Sequence, residues 1–268
     1  MIYRALLLSF LFASQAVAME NNFEEASFYS RMTRKAQNFC YQVMAKTFWD
    51  PLMEGFKPAR TRAMELLELE PHDRIFLIGE GSGLDFEVLP EEIAKQQIWA
   101  LDYSSEMVKQ AKRKAQLLGI PEDQCMLGDA QALPFNEEKF DKIFFPLSLG
   151  SIPNPSLALK EAERVLSPKG KIVVLEKLVD DRESISYARK LLNFFTKFIF
   201  ADINRNLTQI IEPVDSLQII HYESTQGQLT GLLGRMASPY YRLATLVRKA
   251  DYPDIEACEA RIENRKDK

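Results

Sequence analysis

The chain has 268 residues, of which 46% are hydrophobic and 27% charged, and its formal net charge is −4. That composition fits one large domain, or a domain with appendages, around a real core. It gives no push toward nucleic acid, since no Lys/Arg stripe interleaved with aromatics is present. Cys40, Cys125 and Cys258 are too few and too scattered for a disulfide framework or a zinc site, and only His72 and His221 supply imidazoles.

Taken in order, the chain starts with Arg4, an apolar run from Ala5 to Ala13, and Ala16-Val17-Ala18. This is the layout of a secretory signal peptide with a small-residue cleavage site, and the run is short for a membrane span. Met19 follows directly, so residues 1–18 read as a signal, a membrane-surface anchor or a mis-started segment, and stay outside the fold. Residues 19–70 read as an N-terminal helical segment. Tyr29, Met32, Ala36 and Phe39, then Ala63, Leu66 and Leu67, recur near helical spacing, and Trp49-Asp50-Pro51 interrupts them.

Ile75 to Ile78 is a short apolar run that stops at Gly79-Glu80-Gly81-Ser82-Gly83. Such a run bounded by glycine reads as a buried parallel strand followed by a turn that a ligand can approach closely. A helix of weak pattern is expected next. The run Ile98 to Leu101 then ends in Asp102, about 20 residues beyond the loop, where an acid is placed to accept hydrogen bonds from ribose hydroxyls. The expected G-x-G-x-x-G of a dinucleotide site is replaced here by G-x-G-x-G.

Ser104 is a candidate N-cap with Glu106 in the first turn, Met107, Ala111, Ala115 and Leu118 mark one helix face, and Gly119 and Pro121 close it. Lys109, Lys112, Arg113 and Lys114 are its solvated side. Short strands are expected at 125–127 and 143–145, a helix from Asn154-Pro155 to Leu166, a turn at Ser167–Gly170 and a strand at Lys171–Leu175. Strands alternating with helices predict a parallel sheet covered on both faces. Phe194 to Phe200 form an aromatic cluster flanked by Arg189, Lys190 and Arg205, read either as a helix packed on the sheet or as an amphipathic membrane-facing cap. The last residues, 251–268, turn polar and read as a tail.

The block from Arg74 to Glu176 resembles the class I S-adenosylmethionine-dependent methyltransferases, and within them the branch of ubiquinone/menaquinone methyltransferases and bacterial phosphatidylethanolamine N-methyltransferases. The resemblance rests on five segments in order: Gly79–Gly83, Leu101–Met107, Gly128–Phe135, Phe140–Ile143 and Arg164–Gly170. It implies an α/β, doubly wound, Rossmann-like fold: a mostly parallel seven-stranded sheet with an antiparallel last strand, preceded by N-terminal helices. Residues 71–250 would form the S-adenosylmethionine-binding domain, with a helical insertion near 181–215. Leu217–His221 and Tyr241–Val247 would be the final antiparallel pair.

The resemblance also implies roles. Gly79, Gly81 and Gly83 would let the methionine part of S-adenosylmethionine pass the backbone. Asp102 would hold the ribose, Tyr103 and Met107 would contact the adenine or ribose face, and Asp129 with Ala130 would meet the adenine amino group. Phe145 or Pro146 would line the cleft near the sulfonium, and Tyr29, Tyr41 or Trp49 would close a lid over substrate. Two departures stand out. The family's acid two residues before the first glycine is Leu77 here, with Glu80 a partial substitute, and Gly150-Ser151 stands where some relatives carry histidines. No catalytic base is assigned, although His221, Tyr29 and Tyr222 lie in the candidate regions.

The expected function is methyl transfer to a lipophilic small molecule, a phospholipid amine or a quinone precursor, with membrane-surface contact and a cytoplasmic site of action, where the methyl donor is made. The alternatives are a non-catalytic S-adenosylmethionine-binding protein of the same fold and a nucleotide-dependent oxidoreductase.

Overall fold

The structure is a computed structural model that describes residues 37, 39–41, 43, 49–178, 187–199, 201–226 and 240–253. The signal-like segment, Met19, Tyr29, Phe200 and the polar tail beyond 253 lie outside the described residues.

Seven strands form one sheet: β1 (Ile75–Ile78), β2 (Ile98–Asp102), β3 (Cys125–Leu127), β4 (Phe140–Pro146), β5 (Leu166–Glu176), β6 (Leu217–Gln226) and β7 (Tyr240–Arg248). Their order is β3-β2-β1-β4-β5-β7-β6. The first five run parallel, and β7 is antiparallel to both its neighbours. The last two strands are therefore the antiparallel pair expected from the sequence. The chain moves outward from β1 to β3, then returns to lay β4 on the other side of β1. That reversal leaves a crevice at the carboxyl ends of β1, β2 and β4, where open parallel sheets bind ligands.

Alternation along the strands builds two cores. Ile75 and Leu77 of β1, with Val173 and Leu175 of β5, face α2 (Lys57–Leu67) and α3 (Ser105–Leu118). Phe76 and Ile78, with Ile172 and Val174, face α4 (Pro155–Val165) and the short α6 (Leu207–Ile211). Strands buried on both faces have no polar side, so β1 reads as an unbroken apolar run. Among the described residues no helix is long and apolar enough to cross a membrane.

Three local expectations change. Pro51 lies inside the short α1 (Trp49–Met53) rather than ending a helix. In the first turn no backbone N–H has an intrahelical partner, so proline is tolerated there. The connection from β1 to β2 is not a helix of weak pattern but two 3₁₀ turns, Asp85–Val88 and Lys95–Gln97. Pro90 forces Leu89 into an extended conformation, φ −68° and ψ 137°, which stops any helix there. Finally, Ser167–Gly170 is a bulge within β5 and not a turn before it: Phe140 pairs with Leu166, whereas Lys142 pairs with Lys171.

The caps at Asn154 and Gly119 fall where expected. Asn154 accepts the backbone N–H of Leu157 at 3.0 Å, with Pro155 at the first helical position of α4. Gly119, φ +76°, closes α3 in the left-handed region. The part of the aromatic cluster from Phe194 to Ile199 belongs to α5 (Tyr187–Ile199), on which Tyr187 and Leu191 stand exposed. Next to it, Gln37 of the helical residues before α1 donates to the Lys197 carbonyl at 2.7 Å.

Candidate active site

One pocket opens at the crevice. Its walls include Gly79, Glu80, Gly81, Asp102, Tyr103, Met107, Asp129 and Ala130, eight of the ten positions expected from the sequence. Gly83 and Phe145 are not among its walls. A Cβ on Gly83 would lie 3.1 Å from the Ala111 Cα, so this glycine lets the loop pack on α3. Phe145 points wholly into the core beside α4, and the next residue, Pro146, faces the pocket instead.

The glycine loop is built from backbone that side chains disfavour. Gly79, Gly81 and Gly83 have φ of +76°, +67° and +89°. A Cβ on Gly79 would also sit 2.3 Å from the Ser148 Cβ, because the loops after β1 and β4 press together there. Ser148 donates its hydroxyl to the Ile78 carbonyl at 2.7 Å, which holds that contact.

Asp102 ends β2 half-buried on the pocket floor. Its Oδ2 accepts the Gly81 N–H at 2.9 Å and its Oδ1 the Ser104 N–H at 2.8 Å. The Tyr103 N–H also acts on this carboxylate, whose roughly four lone-pair sites leave room for a further donor. Burial pushes its pKa up to about 6, against the pull of the Ser104, Gly81 and Tyr103 N–H groups. Ser104 holds the N-cap position of α3 in an extended conformation, yet its buried hydroxyl caps nothing and finds no partner among the described residues. Asp129 accepts the Gln131 N–H and side-chain amide at 3.1 and 2.9 Å, and Gln131 in turn accepts the Asn154 N–H at 3.0 Å. The loop after β3 is thereby tied to the start of α4.

Leu147, Ser148, Ser151, Ile152 and Pro153 form the opposite wall. Arg205 clamps this wall from behind, donating to the carbonyls of Leu149 and Ile152 at 2.5 and 2.6 Å. Glu176 accepts the Gly150 N–H at 2.7 Å. Gly150-Ser151 thus work through backbone and hydroxyl groups where an imidazole was considered.

The roof comes from outside the five motif segments: Gln37, Tyr41, Met53 and Arg60. Tyr41 bonds Ser151, and its phenol is held well above the ordinary tyrosine range by burial, then by the nearby Glu176 and Asp102 carboxylates. Of the lid candidates, Tyr41 therefore reaches the pocket. Arg60 was not anticipated. Its signal was present: Arg60 shares the helix face of Ala59, Ala63, Met64 and Leu67, where a charge needs a buried partner. That partner is Asp85. His221 lies on β6, 3.0 Å from Glu223, and is not a pocket wall; Tyr222 packs partly buried against the core.

A 3-2-1-4-5-7-6 sheet with β7 reversed, a glycine loop after β1 and an acid at the end of β2 is the class I methyltransferase fold. Residues 76–174 match the family described as methyltransferase domain. Demethylmenaquinone methyltransferase of Bacillus cereus (strain ATCC 10987 / NRS 248) is 28% identical over 121 residues, 45% of this chain and 51% of that protein. The chain thus spans about half the length of this curated relative. The methyltransferase solved in complex with the Haloferax volcanii Trm112 activator superposes with a TM-score of 0.60 at 19% identity, covering 78% of this chain and 97% of that one. Geranyl diphosphate methyltransferase in complex with SAM gives 0.60 at 14% identity, covering 72% and 85%. Residues 76–174 thus match a methyltransferase domain, the fold is that of the solved methyltransferases, and the chain resembles the quinone methyltransferases.

Proposed function

We propose that this protein transfers a methyl group from S-adenosylmethionine to a lipophilic small molecule, a quinone precursor or a phospholipid amine. The observation that carries the reading is Asp102: a carboxylate held by the Gly81 and Ser104 N–H groups at 2.9 and 2.8 Å, in the wall of a pocket that also includes the glycine loop. A nucleoside fits that acceptor, because the Gly81, Ser104 and Tyr103 N–H groups leave the carboxylate room to accept a ribose hydroxyl. The buried Ser104 hydroxyl offers a further polar contact at the same end.

In this reading residues 71–250 are the catalytic unit and residues 19–70 its lid. Asp102 orients the ribose, Asp129 and Ala130 meet the adenine edge, and Tyr103 and Met107 flank the ring. Gly79 and Gly81 let the aminoacyl end pass the backbone. When bound, the cofactor supplies a methyl group on a cationic sulfur that is already activated for in-line displacement. The protein's contribution is then mainly alignment and exclusion of water. Tyr41 and Ser151, bonded to each other, are hydroxyl-bearing walls of the pocket open to an acceptor.

Support for a lipophilic acceptor comes from the quinone acceptor in the name of the Bacillus cereus relative and from α5. That helix carries Arg189, Lys190 and Lys197 and no acid, with Tyr187 and Leu191 exposed, in a chain of net charge −4. The alternative favoured by Leu77 and by the lack of a histidine in the described pocket walls is a protein that binds the cofactor without turnover.

The test is a screen with methyl-labelled S-adenosylmethionine against membrane lipid extracts and demethylated quinones. Label in an organic-extractable product, lost in Asp102→Ala, is the expected result. Cofactor binding without transfer to any acceptor would replace this reading with the non-catalytic one.

A further inference from the structure

The cations on the outer side of α3 do not behave alike. Lys114 is paired with Asp50 at 2.8 Å and with Glu87 at 3.4 Å. Lys109, Lys112 and Arg113 form no ion pair among the described residues. These three ring a groove of about 430 Å³ between α3 and the end of β3, whose walls also hold Val108, Leu127 and one acid, Glu122. Lys109 stands at i,i+3 to Lys112 and i,i+4 to Arg113. Like charges at those spacings destabilise a helix unless something offsets them, and a merely solvated face needs no concavity.

Apolar surface accompanies the charge. Leu127 is 60% exposed, and Leu117, one turn beyond Arg113, is 85% exposed. β3 ends the sheet and pairs only with β2 among the described strands. Its other side therefore offers backbone groups to one more strand. Unpaired cations, exposed leucines and a strand edge meet in one place, in a chain whose net charge is −4.

We propose that this groove docks an extended acidic segment of a partner protein, laid along the edge of β3. Side chains at i, i+2 and i+4 of an added strand share the face toward α3. A leucine flanked at those positions by glutamates would cover Val108 and Leu127 and bring carboxylates to Lys109, Lys112 and Arg113. Strand addition needs a peptide backbone, which a phosphate or a nucleotide lacks. A bilayer surface is flat and does not enter a concave groove.

The groove shares its supports with the pocket that holds Asp102. Ser104, Met107 and Gly128 line the pocket, and their chain neighbours Ser105, Val108 and Leu127 line the groove. The Gly128 N–H donates to the Asp102 carbonyl at 3.0 Å, which ties the end of β3 to the strand that carries the acid. A segment that fixes α3 and β3 thus pre-orders two walls of the pocket and tightens binding there, and linkage makes the effect reciprocal. The docking stands apart from the cofactor reading, whereas the coupling rests on it.

The test is fluorescence anisotropy of the full chain with a labelled, blocked peptide that carries glutamate, leucine, glutamate and glutamate at alternate positions and threonine between them. Saturable binding is expected, weakened about tenfold or more by Lys112→Glu combined with Arg113→Glu, and similarly by Leu127→Asp. None of these side chains lines the pocket, so an unchanged melting temperature checks the fold, and Lys109→Ala is the milder variant should a reversal melt early. A peptide of the same composition, reordered so that leucine and glutamates no longer share a face, should bind about tenfold more weakly. No binding, equal binding of the two peptides, or binding that survives the charge reversal overturns the docking. Tripolyphosphate binding as tightly as the peptide gives the groove to small anions and overturns it too. Self-association on ultracentrifugation that the reversal abolishes gives this face to a second copy instead. Saturating peptide should tighten S-adenosylhomocysteine about fivefold. An unchanged affinity overturns the coupling and leaves the docking, and S-adenosylhomocysteine that binds neither with nor without peptide removes the cofactor reading alone.

Discussion

Asp102 concentrates the residue-scale argument. It was legible in the sequence because strand, glycine turn and acid fall at a spacing that few other arrangements share. In the proposed role its carboxyl accepts ribose hydroxyls best when ionised, and burial pushes its pKa up to about 6. The folded state therefore holds a proton between the usual aspartate value and about 6 that the unfolded chain has lost, and stability from this group falls as pH rises through that window. Nucleoside binding has the opposite dependence. Affinity for 5′-methylthioadenosine should be flat above pH 7 and weaken by roughly tenfold per pH unit below about 6, with the dependence lost in Asp102→Asn. An affinity unchanged from pH 7 to 5 would show that Asp102 does not contact the ligand. Arg60 and Glu80 were harder to read. In the sequence Glu80 reads only as a stand-in for the acid missing at 77. The Arg60–Asp85 contact spans 25 positions and two elements, beyond what local pattern reports.

At the scale of elements, the predicted strands held because double-sided burial leaves a plain signature, whereas the connection from β1 to β2 did not. Leu84, Phe86, Leu89 and Ile93 are all buried there, but Pro90 prevents the helix that their spacing loosely suggested. The bulge in β5 was seen as a turn because Ser-Pro-Lys-Gly looks the same in either setting; only the pairing of Phe140 and Lys142 distinguishes them. Helix α2 matters more than its weak periodicity implied. It packs Ala59, Ala63, Met64 and Leu67 on the sheet and carries Arg60 to the pocket. Leu67, fully buried, should lose about 2–5 kcal/mol of stability on conversion to alanine. Chemical denaturation reads this directly, and a change within a few tenths of a kcal/mol would mean that α2 is not part of the cooperative core.

The whole molecule extends past the segment that the family match covers. Residues 172–176 of β5 pair with β7, and the pocket roof comes from residues before 76. A fragment limited to residues 76–174 would expose that strand edge and lose the α2 packing, so it should show neither a cooperative melt nor cofactor binding. A stable, binding-competent fragment would contradict the roles given to α2 and β7. The proposed acceptor is less legible than the proposed cofactor at this scale, for a physical reason: the glycine loop and Asp102 follow a backbone geometry that sequence pattern betrays, whereas other pocket walls, such as Tyr41, Ser151 and Pro153, come from scattered segments.

The central claim is that this pocket holds an S-adenosyl ligand through Asp102. The most direct measurement is calorimetric titration of the protein from Met19 with S-adenosylhomocysteine, beside Asp102→Ala and with NADH as the competing ligand. Micromolar binding of S-adenosylhomocysteine that disappears in Asp102→Ala, with no measurable heat from NADH, is the predicted result. Binding that ignores the substitution, or NADH binding the more tightly of the two, would contradict it.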